Sequence, residues 1–494
     1  METERARLVV APLGLTVFAL PCAAFWVWTL RHFYILGGFW GDSGAIAAVL
    51  WHNGWALRAP LVHGGGSFLS THTALTLLPI TGLSWVVPLT RAGFFAAFTG
   101  VCHALPAIVV YSVLVREYRL RPLLAAAGGL AFGFNGLAIA IARNPHFELL
   151  FSATAVLFLL GLLREQRVLT WLSFLACVFT REDSGLHLFG LLAVLTAVQR
   201  WQGMAWRAQS RLLVFAALAL ACGVVSLLVQ RVAFPDGGHS LGGVYIGDPP
   251  FAEITPGVVT ERLAFWILYR PYLILPAVAA CAWAVRIRDP MPVVGYAAFV
   301  PWALLHLFAR SELAGTLSNY YPFPFIVAAA WPLLGAVLRQ RRLGLAAPGW
   351  HSAAAFGLMT VLSFAGLDRQ HNPGQLDVPE SFLRAPSWAQ QQATDRALAA
   401  LAASTALGVV AVDAGVASLQ PDAYRAGDTI THWASGAPDT ILYFVRGFEA
   451  PQARDRADQA GLTWHFAVPG TAIRVASNRA LDGLAGLVPD ADWR

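Results

Sequence analysis

Lysine is absent from the 494 residues, so all 34 basic residues are arginines, a bias that reads as compositional rather than functional. Charge of either sign is scarce: charged residues make up 13% of the chain, about half the share in a soluble domain, while apolar residues make up 57%. That pairing excludes an ordinary cytosolic enzyme and any disordered or fibrous class, and describes a polytopic membrane protein. Cysteine is also sparse. The five (Cys22, Cys102, Cys177, Cys222, Cys281) all lie in apolar runs without CxxC pairs or histidines at metal spacing. They read as small packing residues, and the C-terminal region has no thiol to form a disulfide. That region also lacks a GxGxxG loop, a P-loop and a nucleophile elbow, and no internal repeat of the inverted-transporter kind is visible.

What charge there is divides unevenly. Residues 1–366 hold 24 Arg and 14 acidic residues, net +10, and residues 367–494 hold 10 Arg and 14 acidic residues, net −4. The first region carries runs of the length a spanning helix needs, about 20 mostly apolar residues, although some are shorter. They cover 8–30, 93–115, 122–142, 147–163, 168–179, 184–198, 212–229, 272–285, 290–309, 321–338 and 343–367, about 11 spans. The first is too long for a signal-peptide core and reads as a retained anchor. The runs 168–179 and 184–198 are short enough to form a re-entrant hairpin, which would leave the parity unchanged.

Arginine clusters fall at every second connection: Arg116/Arg119/Arg121, Arg164/Arg167, Arg200/Arg207/Arg211, Arg286/Arg288 and Arg339/Arg341/Arg342. The positive-inside rule places these and the N-terminus in the cytoplasm. The long connections 32–92 and 231–271 then face outward, as does a C-terminal domain over 367–494. In that domain Ser387 reads as the N-cap of a helix running to about residue 403. Strands are expected at 408–412, 440–445, 463–468 and 472–476, with a polar helix over 451–460, giving a small α/β layer. The fold class is thus a polytopic α-helical membrane protein with a small extracytoplasmic α/β domain.

Ionisable residues at membrane depth are costly and are functional candidates by default. The first outer loop opens Trp40-Gly41-Asp42-Ser43-Gly44, and Asp42 is the only acidic residue between Glu4 and Glu117. The apolar runs 45–51 and 74–80 are too short to span and suit interfacial helices. Asp42 or Ser43 as a simple helix cap is the bland alternative. His72 precedes the second of these runs. Arg143-Asn144-Pro145-His146-Phe147-Glu148 gathers a cation, an imidazole and a carboxylate at one helix start, where capping alone would account for Glu148. Arg181-Glu182-Asp183 interrupts two apolar runs, either as an internal ion pair or as a binding site. Asn319, Tyr320 and Tyr321 add polar groups at another outer turn, and Arg262 and Arg270 add cations to the last long loop.

The order Gly41-Asp42-Ser43-Gly44, Trp51-His52-Asn53, His72, Asn144-Pro145-His146-Phe147-Glu148 and Arg181-Glu182-Asp183 resembles a bacterial family of predicted membrane proteins classed as a domain of unknown function. The likeness covers the first 200 residues, and Asn319-Tyr320-Tyr321 loosely fits a later segment; Arg181 stands where that family has Lys, and Pro145 precedes rather than follows His146. That family is in turn similar in architecture to the GT-C glycosyltransferases, which move a sugar from a polyprenyl-phosphate carrier to an outward-facing acceptor. The resemblance implies a bacterial inner-membrane enzyme with inverting transfer, Asp42 as the general base, and Arg143 and Arg181 on the phosphate. His72, His146, Glu148, Glu182, Asp183 and Tyr320 would orient the donor, or His146 and Glu148 with Asp42 would complete a divalent-cation site for Mg or Mn. The implied partners are the bilayer, a polyprenyl-phosphate-linked sugar and an extracytoplasmic acceptor, with no nucleic acid. A transporter or lipid flippase and a non-catalytic membrane assembly protein are the rival classes. Most runs are free of charge and the charges gather at run ends, which favours an interfacial enzyme over a pathway through the bilayer.

Overall fold

The computed structural model describes residues 2–35, 41–59, 66–234, 241–367, 386–433, 435–447 and 449–491. The helices before residue 367 are α1 (Glu2–Tyr34), α2 (Gly41–Leu50), α3 (Leu77–Ser84), α4 (Arg91–Arg116), α5 (Pro122–Gly133), α6 (Gly136–Ala142), α7 (Leu149–Leu163), α8 (Arg167–Val178), α9 (Ser184–Trp201), α10 (Ser210–Ala233), α11 (Pro256–Tyr269), α12 (Pro271–Ile287), α13 (Val294–Ala298), α14 (Val300–Leu307), α15 (Glu312–Gly315), α16 (Phe325–Arg342) and α17 (Trp350–Leu362). Each apolar run read from the sequence contains helix, although 343–367 is helical only over Trp350–Leu362, 321–338 only from Phe325, and 290–309 is broken into short pieces. Helix length does not establish eleven crossings, however. Among the described residues three helices are long and apolar enough to span alone, or up to five if each bent pair is one span; four more apolar helices have 10–17 residues.

The bends have local causes. Asn135 accepts from the Ala138 N–H and starts α6 anew, bending α5–α6 by 40°. Pro271 opens α12, and the chain turns by 84° between α11 and α12. α11 lies inside what reads in sequence as a long outer loop, and corrects that reading. Glu261 and Arg262 break its hydropathy, yet the Arg262 guanidinium is buried, donating to the Leu307 and Ala309 carbonyls at 2.8 and 2.6 Å. α10 turns Val214, Val225, Leu228 and Val232 outward, an apolar surface suited to lipid rather than water. The protein is a multi-pass helical membrane protein.

Arginines from alternate connections meet at one end of the bundle. Arg164 and Arg341 pair with Glu117 at 3.3 and 3.4 Å. Asp289 accepts from Arg339 at 2.9 Å, from Gln202 at 2.8 Å and from Arg342. The turns that carry the acidic, histidine and tyrosine candidates lie at the opposite helix ends, which is the alternation read from the sequence.

The C-terminal region contributes α18 (Trp388–Ala402), β1 (Val410–Val412), α19 (Ala414–Leu419), β2 (Thr440–Phe444), α20 (Ala450–Gln459), β3 (Trp464–Ala467), β4 (Ile473–Ser477) and β5 (Val488–Pro489). The sheet order is β1-β2-β4-β3-β5, with β1 parallel to β2 and the remaining pairs antiparallel, Leu442 facing Val475. Ser387 and Gln390 form a capping box at α18. The expected boundary near 367 abuts residues 368–385, outside the described residues. The hydrophobic core continues across it: Ala45, Ile46 and Val49 of α2 pack in one cluster with Leu398 and Leu401 of α18 and Val416 of α19. The first long connection and the C-terminal sheet therefore lie on the same side of the bundle.

Candidate active site

Three turns that are far apart in sequence supply the site: 143–148 between α6 and α7, 179–183 between α8 and α9, and the stretch from 70 to 76 before α3. Glu148 and Asp183 both occupy N-cap positions, yet neither side chain caps its helix. Both turn instead to Arg181. The guanidinium pairs with Glu148 through Nη1 and with Asp183 through Nε at 2.6 Å and Nη2. It also lies over the rings of Trp302 and Phe323, 5.3 and 5.6 Å from their centroids. Burial works against ionisation of Asp183, but the Arg181 charge outweighs it and holds the carboxyl well below its ordinary range. Capping does not account for Glu148, and the internal ion pair read as the bland alternative for Arg181 is present.

Glu182 points the other way. Its carboxylate lies 3.2 and 3.3 Å from His72 Nδ1 and accepts from the Thr73 N–H at 3.2 Å. Burial pushes the His72 imidazole down, yet Glu182 and then Glu148 override it, and the net shift is upward. The Thr71 carbonyl accepts from Gln230 of α10, and Thr76 Oγ1 donates to the Ala176 carbonyl at 3.1 Å. The His72 segment is therefore anchored from both sides.

His146 is buried, with Nδ1 3.5 Å from Glu148 Oε2 and its ring stacked on Tyr320. Thus His72, His146, Glu148, Arg181, Glu182, Asp183 and Tyr320 form one assembly. Arg143 stands apart from Arg181. It is partly exposed and within electrostatic reach of His32 and Arg270. Arg270 is fully buried, its guanidinium donating to the Thr316 and Leu317 carbonyls at 3.2 and 3.3 Å and to Ser318 Oγ at 2.9 Å. It also lines an apolar cavity of about 410 Å³ with Leu273, Ile274, Ala277 and Cys281 of α12.

Asp42 lies in the first turn of α2, and its side chain falls outside the described residues, as do His63, Gly64 and Gly65. Among the described residues no group of three or more His, Cys, Asp or Glu side chains could hold a metal ion. His146 and Glu148 lie together, but a third ligand from Asp42 is not described. Sequence reading missed Trp302, Phe323, Gln230 and Ser318. None carries a charge; Trp302 and Gln230 reach the site from distant helices, and Ser318 and Phe323 flank the Asn319–Tyr321 turn without a polar signal strong enough to mark them.

No family model matches the sequence, and no curated protein matches it. Among solved structures the chain is similar to ArnT from Cupriavidus metallidurans, a crystal structure bound to undecaprenyl phosphate. Identity is 12%, the match covers 94% of this chain and 98% of that one, and the TM-score is 0.43. A score of that size does not establish a common fold, so the site's chemistry has to be read from this chain's own residues.

Proposed function

We propose that this chain is an integral membrane glycosyltransferase of the GT-C kind, moving a sugar from a polyprenyl-phosphate carrier to an acceptor at the outer face of a bacterial inner membrane. The observation that carries this reading is a relay of side-chain contacts between an apolar groove and a carboxylate cluster. Leu273, Ile274, Ala277 and Cys281 line the groove over about 12 Å of helix axis, enough for part of an isoprenoid tail. Arg270 closes one end and donates to Ser318; two residues on, Tyr320 stacks on His146, which adjoins Glu148 and through it Arg181.

In this reading the partly exposed Arg143 meets the carrier phosphate, while the buried Arg270, its donors held by the Thr316 and Leu317 carbonyls and Ser318, adds positive potential from the end of the groove; Arg181 is already engaged by two carboxylates. Arg181 instead fixes Glu148 and Asp183, and His72 with Glu182 holds the adjoining loop. The partly exposed ring of Tyr320, backed by the buried His146 stacked on it, offers an aromatic surface against which a sugar can lie. Asp42 takes the proton of the acceptor hydroxyl as its oxygen attacks the anomeric carbon. The carbon–oxygen bond to phosphate breaks in the same displacement, and the phosphate leaves with the electron pair. Configuration at the anomeric carbon inverts. The two arginines oppose the charge that develops on the leaving group.

The test is purified protein in nanodiscs with polyprenyl-phosphate-linked sugars and a panel of lipid, glycan and peptide acceptors. Transfer is expected, with Asp42→Asn lowering it by about 10²–10⁴-fold. Unchanged transfer by that variant overturns the base assignment. Solute counterflow in proteoliposomes with no glycosidic product overturns the enzyme in favour of a transporter.

A further inference from the structure

Two contacts fix α2, the helix whose first turn carries Asp42, and they come from opposite sides. Ser43 is fully buried, and its Oγ lies 2.9 Å from Asn144 Oδ1 and 2.6 Å from the Pro145 carbonyl oxygen. That ties α2 to the turn bearing His146 and Glu148. Gly44 faces α19. A Cβ there would stand 1.7 Å from Ser418 Oγ, 2.2 Å from Ser418 Cβ and 3.2 Å from Ser418 Cα. The Gly44 backbone seats against the Ser418 side chain with no room for a methyl group. Ser418 has no freedom to retreat, since it is buried and its hydroxyl donates to the Ala414 carbonyl at 2.6 Å.

α19 is itself held by the sheet. Asp413, at the end of β1, accepts from the Val416 N–H at 2.7 Å and from the Phe444 N–H of β2 at 2.6 Å. Burial pushes its carboxyl up to about 7 in spite of these bonds. A rigid path therefore runs from the paired strands through α19 to Gly44, along α2 to Ser43, and on to the Asn144–Pro145 turn.

We propose that the C-terminal α/β unit is a clamp that sets the position of α2 against the His146–Glu148 turn, making Ser43 and Gly44 positioning residues for Asp42, with Ser418 as the surface against which Gly44 seats. The inference rests on the reading of Asp42 as the base. Neither glycine nor serine touches substrate, and their effect is on where the first turn of α2 sits.

The test uses full-length protein in nanodiscs and four variants: Ser43→Ala, Gly44→Ala, Ser418→Gly and the double variant Gly44→Ala/Ser418→Gly. Gly44→Ala is expected to lower kcat by about 10- to 100-fold with KM for the lipid-linked sugar unchanged, as a misplacement of about 1 Å does. Ser418→Gly alone leaves kcat near wild type, and in the double variant it makes room for the new methyl and restores most of the loss. Ser43→Ala removes only a hydroxyl and carries the test should Gly44→Ala fail to fold. Wild-type kcat in both Ser43→Ala and Gly44→Ala, or a double variant no better than Gly44→Ala, overturns the clamp.

A second measurement needs no sugar transfer. In an Asp42→Cys background, maleimide labelling at position 42 is followed by mass spectrometry. Gly44→Ala should change its rate by about tenfold as the first turn is freed, and adding Ser418→Gly should reverse the change. That pattern with no transfer by wild-type protein retains the clamp and overturns the glycosyltransferase, whereas labelling that ignores Gly44→Ala overturns the clamp.

Discussion

The ring of Tyr320 lies flat on that of His146, centroids 3.8 Å apart and planes 10° from parallel. The contact joins segments 174 positions apart in the sequence and links the Arg270–Ser318 side of the site to the Glu148–Arg181 side. A stacked pair of this kind contributes about 0.5–1.5 kcal/mol beyond the area it buries. Tyr320→Phe keeps the ring and should transfer sugar at close to the wild-type rate. Tyr320→Ala should lose about 3- to 10-fold in kcat/KM by the same energy. Equal losses in the two variants would show that the phenol hydroxyl, not the stack, matters.

Arg181 has its donors committed to Glu148 and Asp183 and its face to Trp302 and Phe323. Its removal leaves the buried Glu148 and the partly exposed Asp183 without their cation, and loss of the partner of the buried carboxylate costs about 3–5 kcal/mol. Arg181→Ala should therefore lower the thermal unfolding midpoint strongly and reduce folded yield, while Arg181→Lys, a point charge that cannot grip both carboxylates bidentately, should fall between. If Arg181→Ala unfolds like wild type yet binds lipid phosphate poorly, the cation is a ligand for substrate and not a structural anchor.

Much of this arrangement was legible from residues alone. Ser387 with Gln390 marks the start of α18, and the β2, β3 and β4 strands follow from their apolar runs. Arginines at alternate connections sort to one end because the bilayer imposes that order on the sequence. What was not legible depends on tertiary partners. The Glu148–Arg181 pair spans 33 positions, and its cation–π neighbours lie more than 100 positions away. Glu148 and Asp183 sit where local rules predict caps, and a buried guanidinium overrides those rules. α19 has six residues, too few for a periodic signal, and its cap, Asp413, directly follows the strand expected over 408–412. The fit of Gly44 against Ser418 has no local signature, because a glycine marks an absence of side chain and not what fills the space.

Arg143 is a cation within electrostatic reach of Arg270, which closes one end of the apolar groove. Arg143 is partly exposed, so its replacement should cost little stability. A charge-assisted bond to phosphate is worth about 1.5–3 kcal/mol. Arg143→Ala should therefore raise KM for the lipid-linked donor by about 10- to 100-fold at near-constant kcat. Inhibition by free polyprenyl phosphate should weaken in parallel. If KM for the acceptor rises instead, the cation belongs to the acceptor side.

Asp395 of α18 supplies a pH signature at the seam between the C-terminal unit and the bundle. It accepts from Tyr34 Oη at 3.2 Å, and the Arg91 charge lies within electrostatic reach. Burial pushes its carboxyl up from 3.8 to about 6, against the opposing pull of the Tyr34 bond and the Arg91 charge. The folded state thus holds this proton more tightly than the unfolded chain does. The stability it contributes is complete below about pH 4 and is lost as pH rises through about 6. Asp395→Asn removes the titration while keeping an acceptor for Tyr34. The unfolding midpoint of the variant relative to wild type should rise between pH 4 and 7 and level off above. A constant difference across that range would mean that Asp395 titrates alike in the folded and unfolded chain, and that the seam between α1 and α18 is open to water.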